Sequence, residues 1–273
     1  MTDRYALFGN PAKHSKSPLI HGAYARATGQ DLTYEIIEAP FDGFAAAIAT
    51  FRAAGGRGGN VTMPFKLEAF ALATDLSERA RLAGAVNTLK FEGERIHADN
   101  FDGVGLVNDI KRNQGFPIEG RRVLLLGAGG AARGALLPIL GERPAQLVVA
   151  NRTVAKATAL SESFAKFGTL VTGGYPDLGK QAFDIVINAT SASMRGELPP
   201  VTRAAFASGS LAYDLVYGRG LAPFLALARD AGAAKLADGV GMLVEQAAEG
   251  FAFWRGVRPE TRAMIETLSV PLS

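Results

Sequence analysis

The 273-residue chain contains no cysteine, which excludes disulfides, thiolate nucleophiles and cysteine-ligated metals and fits a reducing cytoplasm by default. No stretch free of Asp, Glu, Lys and Arg exceeds ten residues, as from Val123 to Ala132, whereas a membrane-crossing helix needs about 20 apolar ones. No transmembrane segment is expected. An excess of one charge is missing too: 29 Lys+Arg against 26 Asp+Glu leaves +3, with no block of like charges, which favours a small-molecule partner over nucleic acid. The three histidines, His14, His21 and His97, share no ligand spacing, so no metal site is expected. The opening Met1-Thr2-Asp3-Arg4-Tyr5 lacks the basic and apolar regions of a secretory signal, and a cytoplasmic location is expected.

What is present is an ordinary globular composition, 48% hydrophobic and 20% charged, at a length suited to one large domain or two small ones. Glycine is over-used, 32 residues against a usual share of ~7%, and it clusters rather than repeating at a fixed period. Such clusters suit phosphate loops and tight turns.

From Arg122 to about Ala237 the pattern alternates strand and helix. Expected strands are Val123-Leu126, Gln146-Ala150, Thr169-Thr172, Asp184-Asn188, Leu211-Asp214 and Lys235-Ala237, with helical periodicity between the first two pairs and from Leu221 to Ala231. Runs such as Val123-Leu124-Leu125-Leu126 suit a parallel sheet covered on both faces. Residues 1–102 form an earlier alternating unit: Tyr5-Phe8, a helix from Ser17 or Pro18, Thr33-Ile37, a helix near Asp42-Ala53, Asn60-Thr62, and a hairpin of Val86-Phe91 and Arg95-Ala98. A helix from Gly241 to about Arg255 and a short one from Pro259-Glu260 follow. The expectation is an α/β fold of two domains with a cleft between them: 1–102 with 238–273, the C-terminal helices returning to the first domain, and a doubly wound Rossmann-like domain over 103–237.

Chemistry-bearing motifs sit at strand ends. Gly127-Ala128-Gly129-Gly130-Ala131-Ala132 reads G-x-G-x-x-A between strand and helix, where Gly127 permits the turn, Gly129 a close approach to pyrophosphate and Ala132 tight helix–strand packing. The next strand ends Asn151-Arg152-Thr153-Val154-Ala155-Lys156, with no acid to hold a ribose 2′-hydroxyl but two cations suited to a 2′-phosphate, so NADP is favoured over NAD. Thr153 also reads as a helix N-cap, and both readings can hold together. Ser15 and Ser17, ahead of Pro18, suit a small carboxylate; the plainer reading is an N-cap by Ser17 with Pro18 at the first helical position, and His14 as a turn residue. Lys66 and Asp102 are complementary as a proton-transfer pair, or else a surface lysine and a helix-capping aspartate.

Taken together, the motifs resemble the shikimate dehydrogenase family. The matching segments run in order: Gly9-Asn10-Pro11 with His14-Ser15-Lys16-Ser17-Pro18, Asn60-Val61-Thr62 to Lys66, Gly84-Ala85-Val86-Asn87-Thr88, Asp99 to Gly105, Gly127 to Ala131, Asn151-Arg152-Thr153, Asn188-Ala189-Thr190-Ser191, Tyr213-Asp214 with Tyr217, and Asp238-Gly239-Val240-Gly241-Met242-Leu243-Val244 with Gln246. They span nearly the whole chain. The resemblance implies NADPH-dependent reduction of 3-dehydroshikimate to shikimate, Lys66 and Asp102 being the catalytic pair. Ser15, Ser17 and Tyr217 would hold the substrate carboxylate, and Thr62, Asn87 and Gln246 its ring hydroxyls or the lysine. Gly127, Ala128, Gly129, Gly130 and Ala131 would meet the pyrophosphate, and Asn151, Arg152, Thr153 and Lys156 the adenosine phosphate. Thr190, Leu215, Gly239 and Met242 would meet the remaining ribose and the nicotinamide, with Glu78 at the cleft edge. As partners it implies the small-molecule substrate, no nucleic acid and no membrane, with a homodimer allowed.

Phe101 stands where that family usually has threonine, Leu215-Val216 replaces a commoner methionine-containing pair, and Lys156 replaces a usual arginine, keeping charge but losing a bidentate fork. Two rivals stay open: a quinate/shikimate dehydrogenase using NAD, and a catalytically silent NADP sensor on the same fold.

Overall fold

The strand–helix alternation is realised twice in the computed structural model, which describes residues 2–272. The first run comprises β1 (Asp3–Gly9), α1 (Ser17–Thr28), β2 (Leu32–Glu38), α2 (Phe44–Ala53), β3 (Gly56–Val61), α3 (Lys66–Leu72), β4 (Asp75–Leu76), α4 (Glu78–Ala83), β5 (Thr88–Glu92) and β6 (Arg95–Asp99). The second comprises α5 (Asp102–Asn108), β7 (Arg122–Leu126), α6 (Gly130–Gly141), β8 (Gln146–Ala150), α7 (Val154–Phe164), β9 (Leu170–Gly173), β10 (Phe183–Asn188), β11 (Phe206–Asp214), α8 (Pro223–Asp230) and β12 (Lys235–Ala237). Then come α9 (Val240–Arg255) and α10 (Arg262–Leu268). Two compact units result: the described residues up to Asp102 with Val244–Met264, and Gly103–Leu243 with the described residues from Ile265. Residues 238–243 and those from Ile265 on therefore group with the second unit, where the sequence pattern runs the first through 238–273; Leu272 lies against the second unit's core.

The first unit is a mixed sheet ordered β2-β1-β3-β5-β6-β4, with β1 parallel to β2 and β3, and β5 antiparallel to β3 and β6. Phe8, Phe44, Phe51 and Phe65 fill one face, Phe44 stacking on Phe65 at 5.0 Å. On the same unit α9 is fastened by Trp254, whose Nε1 donates to the Leu89 carbonyl at 2.9 Å, and by Tyr24, whose hydroxyl donates to the Val244 carbonyl at 2.9 Å.

Glycine hides β3 from a propensity reading, which favours β-branched and aromatic residues. Here Gly58 and Gly59 serve close backbone approach: a Cβ would lie 2.5 Å from the Leu89 carbonyl oxygen and 2.4 Å from that of Ala6, respectively. The strand consequently starts at Gly56 rather than Asn60. Two local expectations need correcting. Ser17 is the first helical residue of α1, not its cap; the cap position is Lys16, without a side-chain bond, and Pro18 falls one residue later. The final helix begins at Arg262 rather than Pro259.

The second unit is a sheet ordered β12-β11-β10-β7-β8-β9, parallel throughout. Its strands read as unbroken apolar runs because both faces are covered; Leu124, Leu125 and Leu126 are fully buried. Connectivity runs outward from β7 in one direction through β8 and β9, and in the other from β10 through β11 and β12. The reversal between β7 and β10 is the switch point beside which doubly wound sheets bind dinucleotides. A π-helical turn, Asp109–Asn113, extends α5 without any sequence signal. Among the described residues, no helix is long and apolar enough to cross a membrane.

Candidate active site

Lys66 opens α3 and Asp102 opens α5, so each functional side chain leaves the first turn of a short helix, where the fold rather than the side chain fixes the backbone. Lys66 Nζ donates to Asp102 Oδ2 at 2.6 Å, with side chains 30% and 19% exposed: shielded, yet reachable. The other carboxylate oxygen, Oδ1, accepts from Asn87 Nδ2 at 2.8 Å. Asn87 Nδ2 also lies 3.3 Å from Gln246 Oε1, so residues far apart in sequence converge. The Asp102 backbone N–H is held by Asn100 Oδ1 at 3.1 Å, and the Asn100 amide donates in turn to the Ala85 carbonyl at 3.1 Å. A lysine held by a carboxylate that is itself clamped on its far side is a geometry for moving a proton at a fixed point.

Around this pair the sequence-expected residues sort clearly. Ser15 and Ser17 hydroxyls stand 3.1 Å apart, and the Ser17 N–H donates to Ser15 Oγ at 3.2 Å, so the two serines form one polar patch at the start of α1. Thr62 follows β3 and lies over Gly9, where a Cβ would meet its methyl at 2.4 Å. Phe101 does not crowd the pair: its ring is buried between Phe253, at 5.8 Å, and the Arg79 guanidinium, at 5.1 Å, while its backbone N–H donates to Asn87 Oδ1 at 3.0 Å. Glu78 stands exposed at the start of α4. Polar residues to which motif reading gave no role, the half-buried Tyr34 and the buried Asn60 and Thr88, connect to Asn87 through hydrogen bonds, Tyr34 by way of Asn60. Asn60 and Thr88 lay inside quoted motifs; Tyr34 gave no signal.

In the second unit Gly127, Asn151, Thr190 and Leu215 follow the carboxyl ends of β7, β8, β10 and β11, four neighbouring strands at the switch point. Gly127 has φ +106°, a conformation open to glycine, and a Cβ there would press on Ala189 and Thr190. At Gly129 and Gly130, the cap and first residue of α6, a Cβ would meet nothing within 4 Å, and Gly129, Gly130 and Ala131 are exposed at the start of that helix, beside Ala128. Thr153 occupies the cap position of α7 but makes no capping bond, which leaves the N-cap reading without its hydrogen bond. Arg152, Thr153 and Lys156 are exposed, and neither cation has a carboxylate partner among the described residues. A glycine cradle with two uncompensated cations one strand away fits a phosphorylated dinucleotide.

The remaining expected residues are held from behind. Asn188 Oδ1 accepts from the Thr190 hydroxyl at 2.7 Å, and Asn188 Nδ2 donates to Asp214 Oδ2 at 3.2 Å; burial pushes the Asp214 carboxyl up from its ordinary value, opposed by the Ser193 hydroxyl. Gly239 passes so close to Leu215 that a Cβ would lie 2.2 Å from its carbonyl oxygen, and the Met242 N–H donates to the Tyr213 hydroxyl at 3.2 Å. Tyr217 remains 42% exposed in the loop after β11. Among the described residues, no three His, Asp or Glu side chains group closely enough to hold a metal ion.

Comparison with known proteins identifies the family. Three family models match: the shikimate dehydrogenase substrate binding domain over residues 7–89, shikimate / quinate 5-dehydrogenase over 110–200, and the shikimate 5′-dehydrogenase C-terminal domain over 239–268. A shikimate dehydrogenase (NADP(+)) of Nitrosospira multiformis is 58% identical over 98% of both chains. Among solved structures, an Ael1 enzyme from Pseudomonas putida superposes with TM-score 0.96 at 57% identity, covering 100% of each chain. Shikimate 5-dehydrogenase from Thermus thermophilus, in complex with NADP(H) and shikimate, superposes with TM-score 0.86 at 30% identity over 98% of each chain.

Proposed function

The chain belongs to the shikimate dehydrogenase family, and on that premise we propose that it catalyses the reversible NADPH-dependent reduction of 3-dehydroshikimate to shikimate in aromatic amino-acid biosynthesis. The observation that carries the reading is the Lys66–Asp102 pair, closed at 2.6 Å and clamped by Asn87. A bound nicotinamide nucleotide supplies the hydride. Lys66 Nζ gives a proton to the ketone oxygen as the carbonyl carbon is reduced, and takes it back from the hydroxyl in the reverse direction. Asp102 orients the lysine and balances its charge. The binding roles are those the family pattern implies: Ser15, Ser17 and Tyr217 for the substrate carboxylate, and Thr62, Asn87 and Gln246 for the ring hydroxyls or the catalytic lysine.

On this reading the first unit is the substrate-binding domain and the second the nucleotide domain. Gly127 to Ala131 take the pyrophosphate; Asn151, Arg152, Thr153 and Lys156 take the 2′-phosphate end; Thr190, Leu215, Gly239 and Met242 take the nicotinamide ribose and ring, with Glu78 at the margin. A phosphate without a counter-ion is costly to bury, and Arg152 and Lys156 supply that counter-charge, which supports NADP over NAD.

The test is nicotinamide absorbance with purified protein in four combinations, shikimate or quinate with NADP or NAD. Turnover of shikimate with NADP is expected to dominate. Quinate or NAD turnover at comparable rate would move the protein to a quinate/shikimate dehydrogenase, and silence in all four combinations would revive a sensor role.

A further inference from the structure

Four polar side chains of the first unit form a series of hydrogen bonds that all donate toward Asp102. The Tyr34 hydroxyl donates to Asn60 Oδ1 at 2.8 Å, and Asn60 Nδ2 to Thr88 Oγ1 at 3.1 Å. The Thr88 hydroxyl donates to Asn87 Oδ1 at 2.9 Å, and Asn87 Nδ2 to Asp102 Oδ1 at 2.8 Å. Asn60 and Asn87 are 6% and 3% exposed and Thr88 is wholly buried, so water does not compete for these bonds.

The direction of the series is dictated by two backbone groups whose polarity cannot change. The Phe101 N–H, only a donor, points at one end of the Asn87 amide at 3.0 Å, and that end must be the oxygen. Its NH2 end then faces the carboxylate. The Asn87 carbonyl, only an acceptor, lies 3.3 Å from one end of the Asn60 amide, which must be the nitrogen, leaving the Asn60 oxygen to Tyr34. With both amides fixed, Thr88 has one arrangement left: it accepts from Asn60 and donates to Asn87. Aligned donors in a water-poor setting polarise one another, and each missing link strands a buried polar group.

The far end is held by packing. The His21 imidazole lies flat on the Tyr34 ring, and Gly250 of α9 backs the middle, where a Cβ would sit 3.4 Å from Asn60 Nδ2 and 3.5 Å from Thr88 Oγ1. Asn87 therefore cannot rotate while Thr88 and Tyr34 hold their bonds.

We propose that Tyr34 and Thr88 are positioning residues for proton transfer, acting through Asn60 and Asn87 to fix the Asp102 carboxylate with its free oxygen turned to Lys66. The inference rests on the reaction proposed above. Its test is steady-state kinetics of shikimate oxidation with NADP+ by the wild type and by Thr88→Val, Thr88→Ser and Tyr34→Phe. Valine keeps the shape of threonine and loses the hydroxyl; serine restores it.

Thr88→Val and Tyr34→Phe are expected to lower kcat about tenfold, a change of about 1.4 kcal/mol in barrier, with KM for NADP+ unchanged. Thr88→Ser is expected to return kcat to near the wild-type value, which recovery of packing alone would not require. A Thr88→Val enzyme within twofold of the wild-type kcat, or a Thr88→Ser enzyme no faster than the valine variant, would overturn the proposal. Should Thr88→Val fail to fold, Tyr34→Phe decides by the same kcat criterion. Wild-type silence on shikimate would overturn the reaction itself, a result distinct from an active wild type with unaffected variants.

Discussion

The imidazole of His21 stacks on the ring of Tyr34 with centroids 4.4 Å apart and planes 11° from parallel. Tyr24, Phe251 and Trp254 close the remaining sides, and neither imidazole nitrogen meets a hydrogen-bond partner among the described residues. Burial pushes His21 down from 6.5 to about 3, so it is neutral in the folded protein at every ordinary pH.

Acid lability follows from that burial. Below about pH 6.5 the unfolded chain takes up a proton at His21 that the folded chain refuses until about pH 3, so stability falls with pH across that window. The loss is about 1.4 kcal/mol per pH unit from this group alone. His21→Phe keeps the stack and is expected to flatten the dependence between pH 7.5 and 5. Urea unfolding followed by Trp254, the only tryptophan and 5.1 Å from His21, reads it; parallel pH profiles for the two proteins would remove His21 as the cause.

Lys66→Ala should lower kcat by roughly 10²–10⁴, the range for a lost general acid or base. Affinity for NADPH should stay nearly intact, since Lys66 lies in the first unit and the glycine cradle in the second. Near-normal turnover would take Lys66 out of the mechanism.

Arg152→Ala should weaken NADPH binding about 10–100-fold, the worth of a charge-assisted hydrogen bond, and leave NADH affinity unchanged. Fluorescence titration with both nucleotides separates the cases. An equal loss for both would assign Arg152 to adenine stacking instead of the phosphate.

Much of this was legible because its signals are local. Parallel strands buried on both faces read as apolar runs, so β8 and β12 match their expected bounds, and the hairpin of β5 and β6 pairs Glu92 with Arg95 around Gly93-Glu94 as its turn residues suggest. Lys66, Asp102 and the serines stood out through motif resemblance, since composition alone leaves them as surface and capping residues. What escaped was non-local. The two-residue β4 owes its existence to pairing with β6, and β3 is a strand because Ala6 and Leu89 need glycine opposite them. Tyr34 lies 53 residues before Asn87, and only the folded sheet brings them into one hydrogen-bonded series.

Gly103→Ala should destabilise the second unit by about 1–3 kcal/mol, the usual range for overpacking. The added Cβ would lie 2.3 Å from the Gly134 carbonyl oxygen and 2.9 Å from the Ala135 Cα, both backbone atoms of α6 that cannot step aside. Gly141→Ala, with nothing within 4 Å, serves as control and should be neutral or slightly stabilising. Equal denaturation midpoints for the two variants would contradict so close an approach of α5 to α6.

The first unit is assembled from two stretches of chain, with Leu89 and Tyr24 bonded to a segment that begins at Val244. During synthesis its sheet, whose strands end at Asp99, must wait for about 140 further residues to leave the ribosome before α9 can dock on it, roughly 7–28 s at ordinary elongation rates. The glycine cradle of the second unit, by contrast, is made of contiguous sequence and can close while the sheet before it still lacks α9. Completion on the ribosome is thus interleaved: the glycine cradle can form before α9 reaches the unit that carries Lys66, and the stretch from Ile265 on, which belongs to the second unit, emerges last of all.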